Sequence, residues 1–303
     1  MDRALNIEHI QKSFKLGFLL RKKTILKNIS LSVKKGEIFG YLGPNGAGKT
    51  TTIKCITGLI FPDSGTIDIF GYQHLSLKAK ELTGFLPENP YFYDYLTAFE
   101  FLKFYSHLYK KKEKKRTIIK LLELVGLEQS ANLQLRKYSR GMIQRIGLAQ
   151  TLIHNPSLIL LDEPLSGLDP VGRKELRDII LQLKEKGNTI FLSSHILQDI
   201  EMICDRVAIL IDGQVINQGA IHDLISEKIL FTEVIFSGVE PNKLEGFGEF
   251  LSTYGGKIML KIFEEDKIEQ AIQLVHSMGG KIHSLIPRTE TLESLFVNMV
   301  KQK

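Results

Sequence analysis

The stretch Gly43-Pro44-Asn45-Gly46-Ala47-Gly48-Lys49-Thr50, with Thr51 behind it, constrains this chain more than any other. Two glycines separated by four residues stand before Lys and Thr, the pattern of a phosphate loop. Ile38 to Leu42 reads as a short buried strand before it, and Thr51 to Thr57 as a helix after it, stopped near Gly58. The glycines allow a tight turn in which successive N–H groups face a phosphate. The helix N-terminus adds partial positive charge at the same point. Lys49 would supply a full charge to the outer phosphates, and the Thr50 hydroxyl would face Mg²⁺. The plainer reading is a Gly-rich turn capping an ordinary helix. The pattern alone arises by chance in roughly one or two per cent of chains this long, so the rest of the sequence has to decide.

Composition narrows the class. At 303 residues there is room for one large domain or two smaller ones, and 43% hydrophobic with 24% charged residues is ordinary for a folded protein. No stretch approaches the roughly 20 apolar residues of a membrane span, and Met1 to Ala4 lacks the apolar core of a signal peptide. The expectation is a cytosolic chain whose role at a membrane would need a partner. Cys55 and Cys204 fall in helical patterns without metal or redox spacing, and read as small buried hydrophobes. The charge is uneven: residues 221–303 carry nine Lys/Arg against twelve Asp/Glu, a net −3, so residues 1–220 carry +9 and the whole chain +6. A nucleotide site or a nearby anionic membrane accounts for a basic domain. The runs Arg21-Lys22-Lys23 and Lys110 to Arg116 read as solvated, with no nucleic-acid contact.

Residues 4–13 and 24–33 read as strands, Ile29, Leu31 and Val33 alternating with polar residues. Between them Phe14 to Lys23 is expected as a loop, where Phe14 either stacks on a nucleotide base or belongs to the core. Thr66 to Phe70 and Gly84 to Leu86 are further strands, the second running into the breaker-rich Pro87-Glu88-Asn89-Pro90. Helices follow at Thr97 to Tyr109 and Glu113 to Val125. Another opens behind Ser139, an N-cap type, and stops at Asn155-Pro156.

Leu158 to Leu161 is a continuous apolar run, as in a parallel strand buried on both faces. Asp162 and Glu163 sit at its C-terminal end, where open α/β sheets bind ligands. Unpaired carboxylates are costly to bury, so these should face Mg²⁺ or water. Asp162 suits Mg²⁺, directly or through water. Glu163 suits orienting or deprotonating an attacking water. Ser166 to Pro170 is a turn before a helix from Gly172 to about Lys186, Thr189 to Ser193 is a buried strand, and His195 lies at its end. Arg206 to Ile211 and Val215 to Asn217 form a hairpin around Asp212-Gly213.

With GPNGAGKTT, YSRGMIQR, LILLDEP, SGLD and SSH in this order, residues 4–225 resemble the ATP-binding subunit of an ATP-binding-cassette (ABC) transporter. The resemblance implies an α/β P-loop NTPase with a RecA-like core, an antiparallel β subdomain and a helical subdomain around residues 90–155. It implies ATP and Mg²⁺ as ligands. ATP would be held by Phe14, Gly43, Pro44, Asn45, Gly46, Ala47, Gly48, Lys49, Thr50 and Thr51, and Mg²⁺ by Thr50, Glu88 and Asp162. Lys49, Glu163 and His195 would be catalytic. Ser139, Gly141 and Asp169 would act across a head-to-tail pair of cassettes, most simply two copies of this chain. The expected activity is ATP hydrolysis that drives a separate integral membrane permease, as in the exporter-like subgroup, from the cytoplasmic face. The rival is a soluble cassette ATPase acting on ribosomes or DNA, which in this family usually carries two cassettes, coiled-coil insertions or zinc modules.

Three positions depart from the family pattern. Tyr138, Arg140 and Met142 replace the Leu, first Gly and Gln of the usual LSGGQ signature, Glu88 stands where Gln is usual, and Phe14 where Tyr is favoured. Residues 228–303 lie outside the common cassette, whose expected extent is 1–227. Strands at Leu230 to Phe236, Lys257 to Phe263 and Lys281 to Ile286, with helices at Asp266 to Met278 and Thr291 to Lys301, predict a small C-terminal α+β module. Dimer stabilisation or regulation is its expected role.

Overall fold

A computed structural model describes residues 2–16, 21–109, 115–225, 229–289 and 291–301. It divides into two compact units, Met1–Ile221 and His222–Lys303. The expected cassette boundary at 227/228 and the core of the basic run at 110–114 lie outside the described residues.

In the first unit the elements run β1 (Arg3–Leu16), β2 (Arg21–Lys34), β3 (Ile38–Leu42), α1 (Lys49–Ile56), β4 (Ser64–Ile69), β5 (Tyr72–Gln73), α2 (Leu77–Leu82) and β6 (Thr83–Leu86). Then come α3 (Ala98–Leu108), α4 (Lys115–Leu124), α5 (Arg140–Thr151), β7 (Leu158–Asp162), α6 (Pro170–Glu185), β8 (Thr189–Ser194), α7 (Leu197–Ile203), β9 (Arg206–Ile211) and β10 (Gln214–Ala220). A short α8 (Ile221–Leu224) stands at the division between units.

Two sheets result. The larger has the order β10-β9-β3-β8-β7-β6, parallel throughout except for the β9–β10 hairpin. Its central strands β3, β7 and β8 are buried at every residue, which is why their sequences run apolar without alternation. The smaller sheet, β2-β1-β4-β5, is antiparallel, and there β1 and β2 alternate inward and outward. One core joins the sheets: Ile7, Ile29 and Val33 meet Phe39, Tyr41, Leu160 and Phe191, with Ile53 and Ile56 of α1. Phe39 and Phe191 stack with centroids 5.8 Å apart.

The helical layer is set by caps. Thr97 and Glu100 form a reciprocal capping box at α3. Ser139 caps α5 by accepting from the Met142 N–H, and Asp169 caps α6 by accepting from the Gly172 N–H, with Pro170 in the first turn. Helix α6 therefore starts two residues before the sequence expectation, because Asp169 rather than the turn itself provides the cap.

The expected loop from Phe14 to Lys23 is corrected to strand at both ends, since Phe14 pairs with Lys23 in the β1–β2 ladder; residues 17–20 lie outside the described set. Helix α1 begins at Lys49 rather than Thr51. Elements β5, α2 and α7 carry no strong periodicity, being two to seven residues long.

The second unit contains β11 (Ile229–Ser237), β12 (Glu249–Tyr254), β13 (Lys257–Ile262), α9 (Glu265–Ser277), β14 (Lys281–Thr289) and α10 (Leu292–Lys301). Its antiparallel sheet has the order β12-β13-β11-β14. Val234, Phe236, Ile258, Leu260 and Ile262 bury one face against Ala271 and Val275 of α9. Strand β12 is exposed at all six positions, so burial left no alternating pattern in its sequence. No helix among the described residues is long and apolar enough to cross a membrane.

Candidate functional site

Strands β3, β8 and β7 lie side by side, with Leu42 paired to Ser194 and Asp162 to Ser193. Parallel pairing brings their C-terminal ends to one edge, and each end leads into one part of the site: residues 43–48, Glu163 and His195.

The turn after β3 is shaped by close approaches. A Cβ on Gly43 would stand 2.4 Å from the Leu210 carbonyl oxygen, so no side chain fits there. Gly48 has φ +114° at the N-cap of α1, a conformation that only glycine adopts without strain. No side chain caps α1, so its first N–H groups stay available to an anion. Phe14, Lys23, Ile25, Gly46, Gly48, Lys49, Thr50 and Thr51 line a cavity of about 380 Å³ at this point. Phe14 thus stands at the wall of the phosphate-loop cavity, with the Lys12 ammonium 5.5 Å from its ring centroid.

Beside the loop lies a connected polar cluster, buried at Lys49, Asp162, Glu163 and Ser193, half-buried at Thr50 and exposed at His195. Lys49 Nζ lies 3.1 Å from Glu163 Oε1 and donates to the carbonyls of Gly43 (2.6 Å) and Pro44 (3.2 Å). His195 Nδ1 donates to Glu163 Oε2 at 2.8 Å. Thr50 Oγ1 donates to Asp162 Oδ1 at 3.1 Å, and Ser193 Oγ donates to the same oxygen at 2.7 Å. Lys49 and Glu163 are 6% and 5% exposed, so each charge depends on the other, Lys49 also on those carbonyls and Glu163 also on His195. Burial raises the Asp162 carboxyl above its ordinary range, against the opposing hydrogen bonds from Ser193 and Thr50. A cation beside Asp162 would relieve that cost, and the Thr50 hydroxyl supplies a second oxygen at the same spot. This donor set, all oxygen, fits Mg²⁺.

The structure does not bring Glu88 into this cluster. Its backbone carbonyl accepts from Gln144 Nε2 at 2.9 Å, and its carboxylate makes no hydrogen bond to Thr50 or Asp162. Ser139, Gly141 and Asp169 come together elsewhere. They line a second cavity, of about 370 Å³, with Arg140, Gly167 and Gly172. Tyr138, which precedes Ser139 in the chain, is nearly buried, and its hydroxyl donates to the Ser130 carbonyl at 2.8 Å. Arg140 packs over the backbone of Gly167. The two cavities have no lining residue in common. Ser193 is the one buried polar member of the first cluster to which the sequence reading assigned no role. It stood within the SSH motif, and a Ser where a buried strand expects an aliphatic residue was the available signal.

The profile of the ABC transporter family matches residues 26–166. The chain is 39% identical over 301 residues to an uncharacterised ABC transporter ATP-binding protein of Synechocystis sp., covering 97% of this chain and 84% of that protein. It is 41% identical over 226 residues to the linearmycin resistance ATP-binding protein LnrL of Bacillus subtilis, covering 73% and 71%. Among solved structures it is similar to a dimeric ATP-binding cassette in a post-hydrolysis state bound to ADP and Pi, at a TM-score of 0.65 and 26% identity, covering 71% of this chain and 98% of that one.

Proposed function

The chain belongs to the ABC transporter family as an ATP-binding, ATP-hydrolysing subunit, and from that premise we propose that it closes with ATP into a head-to-tail homodimer that drives a separate membrane permease. The observation that carries the proposal is the separation of the two cavities. Ser139 and Gly141 have a capped helix start but no phosphate loop beside them, and Lys49 has a phosphate loop but no signature. Two copies arranged head to tail unite them twice.

In this reading the phosphates enter the turn between β3 and α1, where backbone N–H groups and Lys49 receive them. Phe14 offers its ring face to the base, and stacking needs only the ring. Thr50 and Asp162 would hold Mg²⁺, which neutralises phosphate charge when bound with ATP. Lys49 then shares its ammonium with the phosphates, and Glu163, held at its other oxygen by His195, accepts a proton from the attacking water. Ser139 and Gly141 of the second copy approach the outer phosphate through the N-terminus of α5, and Asp169 lies at the crossing between chains. We assign the cassette to residues 1–227 and the accessory module to 228–303.

The permease would dock on the exposed aromatics that follow the Glu88 loop. Tyr91 is 92% exposed, and Tyr93 packs on Tyr95 and Phe104 with centroids 6.0 and 5.8 Å apart. Such a surface patch suits a protein partner better than water. The name of the linearmycin resistance relative favours export, and the chain would work at the cytoplasmic face of the membrane.

Two variants mixed together test the head-to-tail arrangement. Ser139→Arg should spare ATP binding and block turnover, while Lys49→Ala should lack tight binding. A mixture should regain ATPase activity that neither shows alone, because one of the two composite sites in a mixed dimer is intact. If no activity returns although subunits exchange, Ser139 does not act across the dimer.

A further inference from the structure

Ser193 lies inside the larger sheet and is fully buried. Its hydroxyl donates to Asp162 Oδ1 at 2.7 Å and accepts from the Glu163 N–H at 3.0 Å. A hydroxyl has one proton to give and lone pairs to receive, so a single Oγ joins both residues at the end of β7. The ladder explains the reach: Ser193 is the direct neighbour of Asp162 in the β7–β8 pairing, and paired residues in a sheet present their side chains to the same face.

The second bond matters because of the backbone at Glu163. Its φ is +49°, in the left-handed region that non-glycine residues rarely enter. Such a conformation persists only when its surroundings hold it. The chain leaves β7 at this residue, and the N–H at the bend has the Ser193 hydroxyl as its buried partner. We infer that Ser193 is a positioning residue, which fixes the Asp162 carboxylate and the Glu163 backbone to one point so that the two carboxylates hold a set spacing at the sheet edge. The inference rests on the reading of Asp162 as the Mg²⁺ residue and Glu163 as the base. Ser193 hydrogen-bonds neither Lys49 nor Thr50 and meets Thr50 only through their shared acceptor, Asp162 Oδ1, so phosphate binding at Lys49 should not depend on it.

Thr and Val have nearly the same shape, suit a buried strand, and differ in the hydroxyl. Ser193→Thr should therefore keep the spacing and Ser193→Val lose it. For Ser193→Val, turnover should fall on the order of ten- to a hundred-fold, the usual cost of displacing a catalytic group by about an ångström. The Mg²⁺ concentration that half-saturates ATP binding, measured by calorimetry in the Glu163→Gln background where hydrolysis does not interfere, should rise several-fold over the Ser193→Thr counterpart. ATP binding with Mg²⁺ chelated should be the same in both. Equal Mg²⁺ dependence and equal turnover in the Thr and Val variants would overturn the inference, and so would a loss of Mg²⁺-free ATP binding confined to Val, which marks a general folding effect. The underlying reading fails separately: wild-type turnover by Glu163→Gln alone removes the base, whatever Ser193 does.

Discussion

Glu163→Gln is expected to bind ATP, to hydrolyse it at least about a hundredfold more slowly, and to accumulate as a closed dimer. The substitution keeps the size of the side chain and one of its two acceptor oxygens. It removes the one property that matters for taking a proton, the negative charge. Glu163 sits at the meeting point of Lys49, 3.1 Å away, and His195, 2.8 Å away. With the carboxylate neutralised, the Lys49 ammonium loses its only anionic partner among the described residues. The phosphates of ATP then become its strongest partner, so affinity should hold or improve while the chemical step stalls. A stalled site keeps both signature contacts engaged, and the dimer persists. Light scattering on the eluting variant, with and without ATP and Mg²⁺, reads the mass directly, and phosphate release reads the rate. Turnover at the wild-type rate would take the base role from Glu163. A monomer carrying bound ATP would show that contacts within this chain do not suffice to hold the closed pair.

What could be read in advance divides along physical lines. The central strands were legible because burial on both faces forces continuous apolar runs such as Leu158 to Leu161. The phosphate loop was legible because sterics leave no freedom at Gly43 and Gly48. The cap at Ser139 was legible because side-chain oxygens recur at helix starts for an electrostatic reason, whereas Asp169, read as part of a turn, proved to be the cap of α6. Strand β12 was not, since a fully exposed edge has no apolar period to show. The length of the β1–β2 hairpin was not, because Phe14, Lys15, Lys22 and Lys23 pair through backbone bonds that do not depend on side-chain type. The ties within the site were hidden for a different reason. That Ser193 reaches Asp162, or that Glu88 turns only its carbonyl toward Gln144, depends on which strands are neighbours in space. Motif spacing along the chain carries no such information.

Lys49→Ala should cost the chain both affinity and stability, and a second substitution separates the two. The ammonium is 6% exposed and bonds the Gly43 and Pro44 carbonyls as well as Glu163. Losing one partner of a desolvated charge pair costs about 2–5 kcal/mol in binding, which is roughly thirty- to several-thousand-fold in ATP affinity. The same deletion leaves the Glu163 carboxylate, 5% exposed, without its countercharge, and breaking a buried ion pair from one side costs about 3–5 kcal/mol of folding stability. A weak-binding Lys49→Ala protein is therefore open to two explanations: a missing phosphate contact, or a site disturbed by an orphaned carboxylate. Lys49→Ala combined with Glu163→Gln removes the orphan. Thermal unfolding should then recover most of the lost stability, while calorimetry should still find ATP weakly bound, because the phosphates have lost their cation in either case. Should the double variant instead bind ATP as tightly as Glu163→Gln does, the ammonium would be a counterion for the glutamate and not the residue that receives the phosphates.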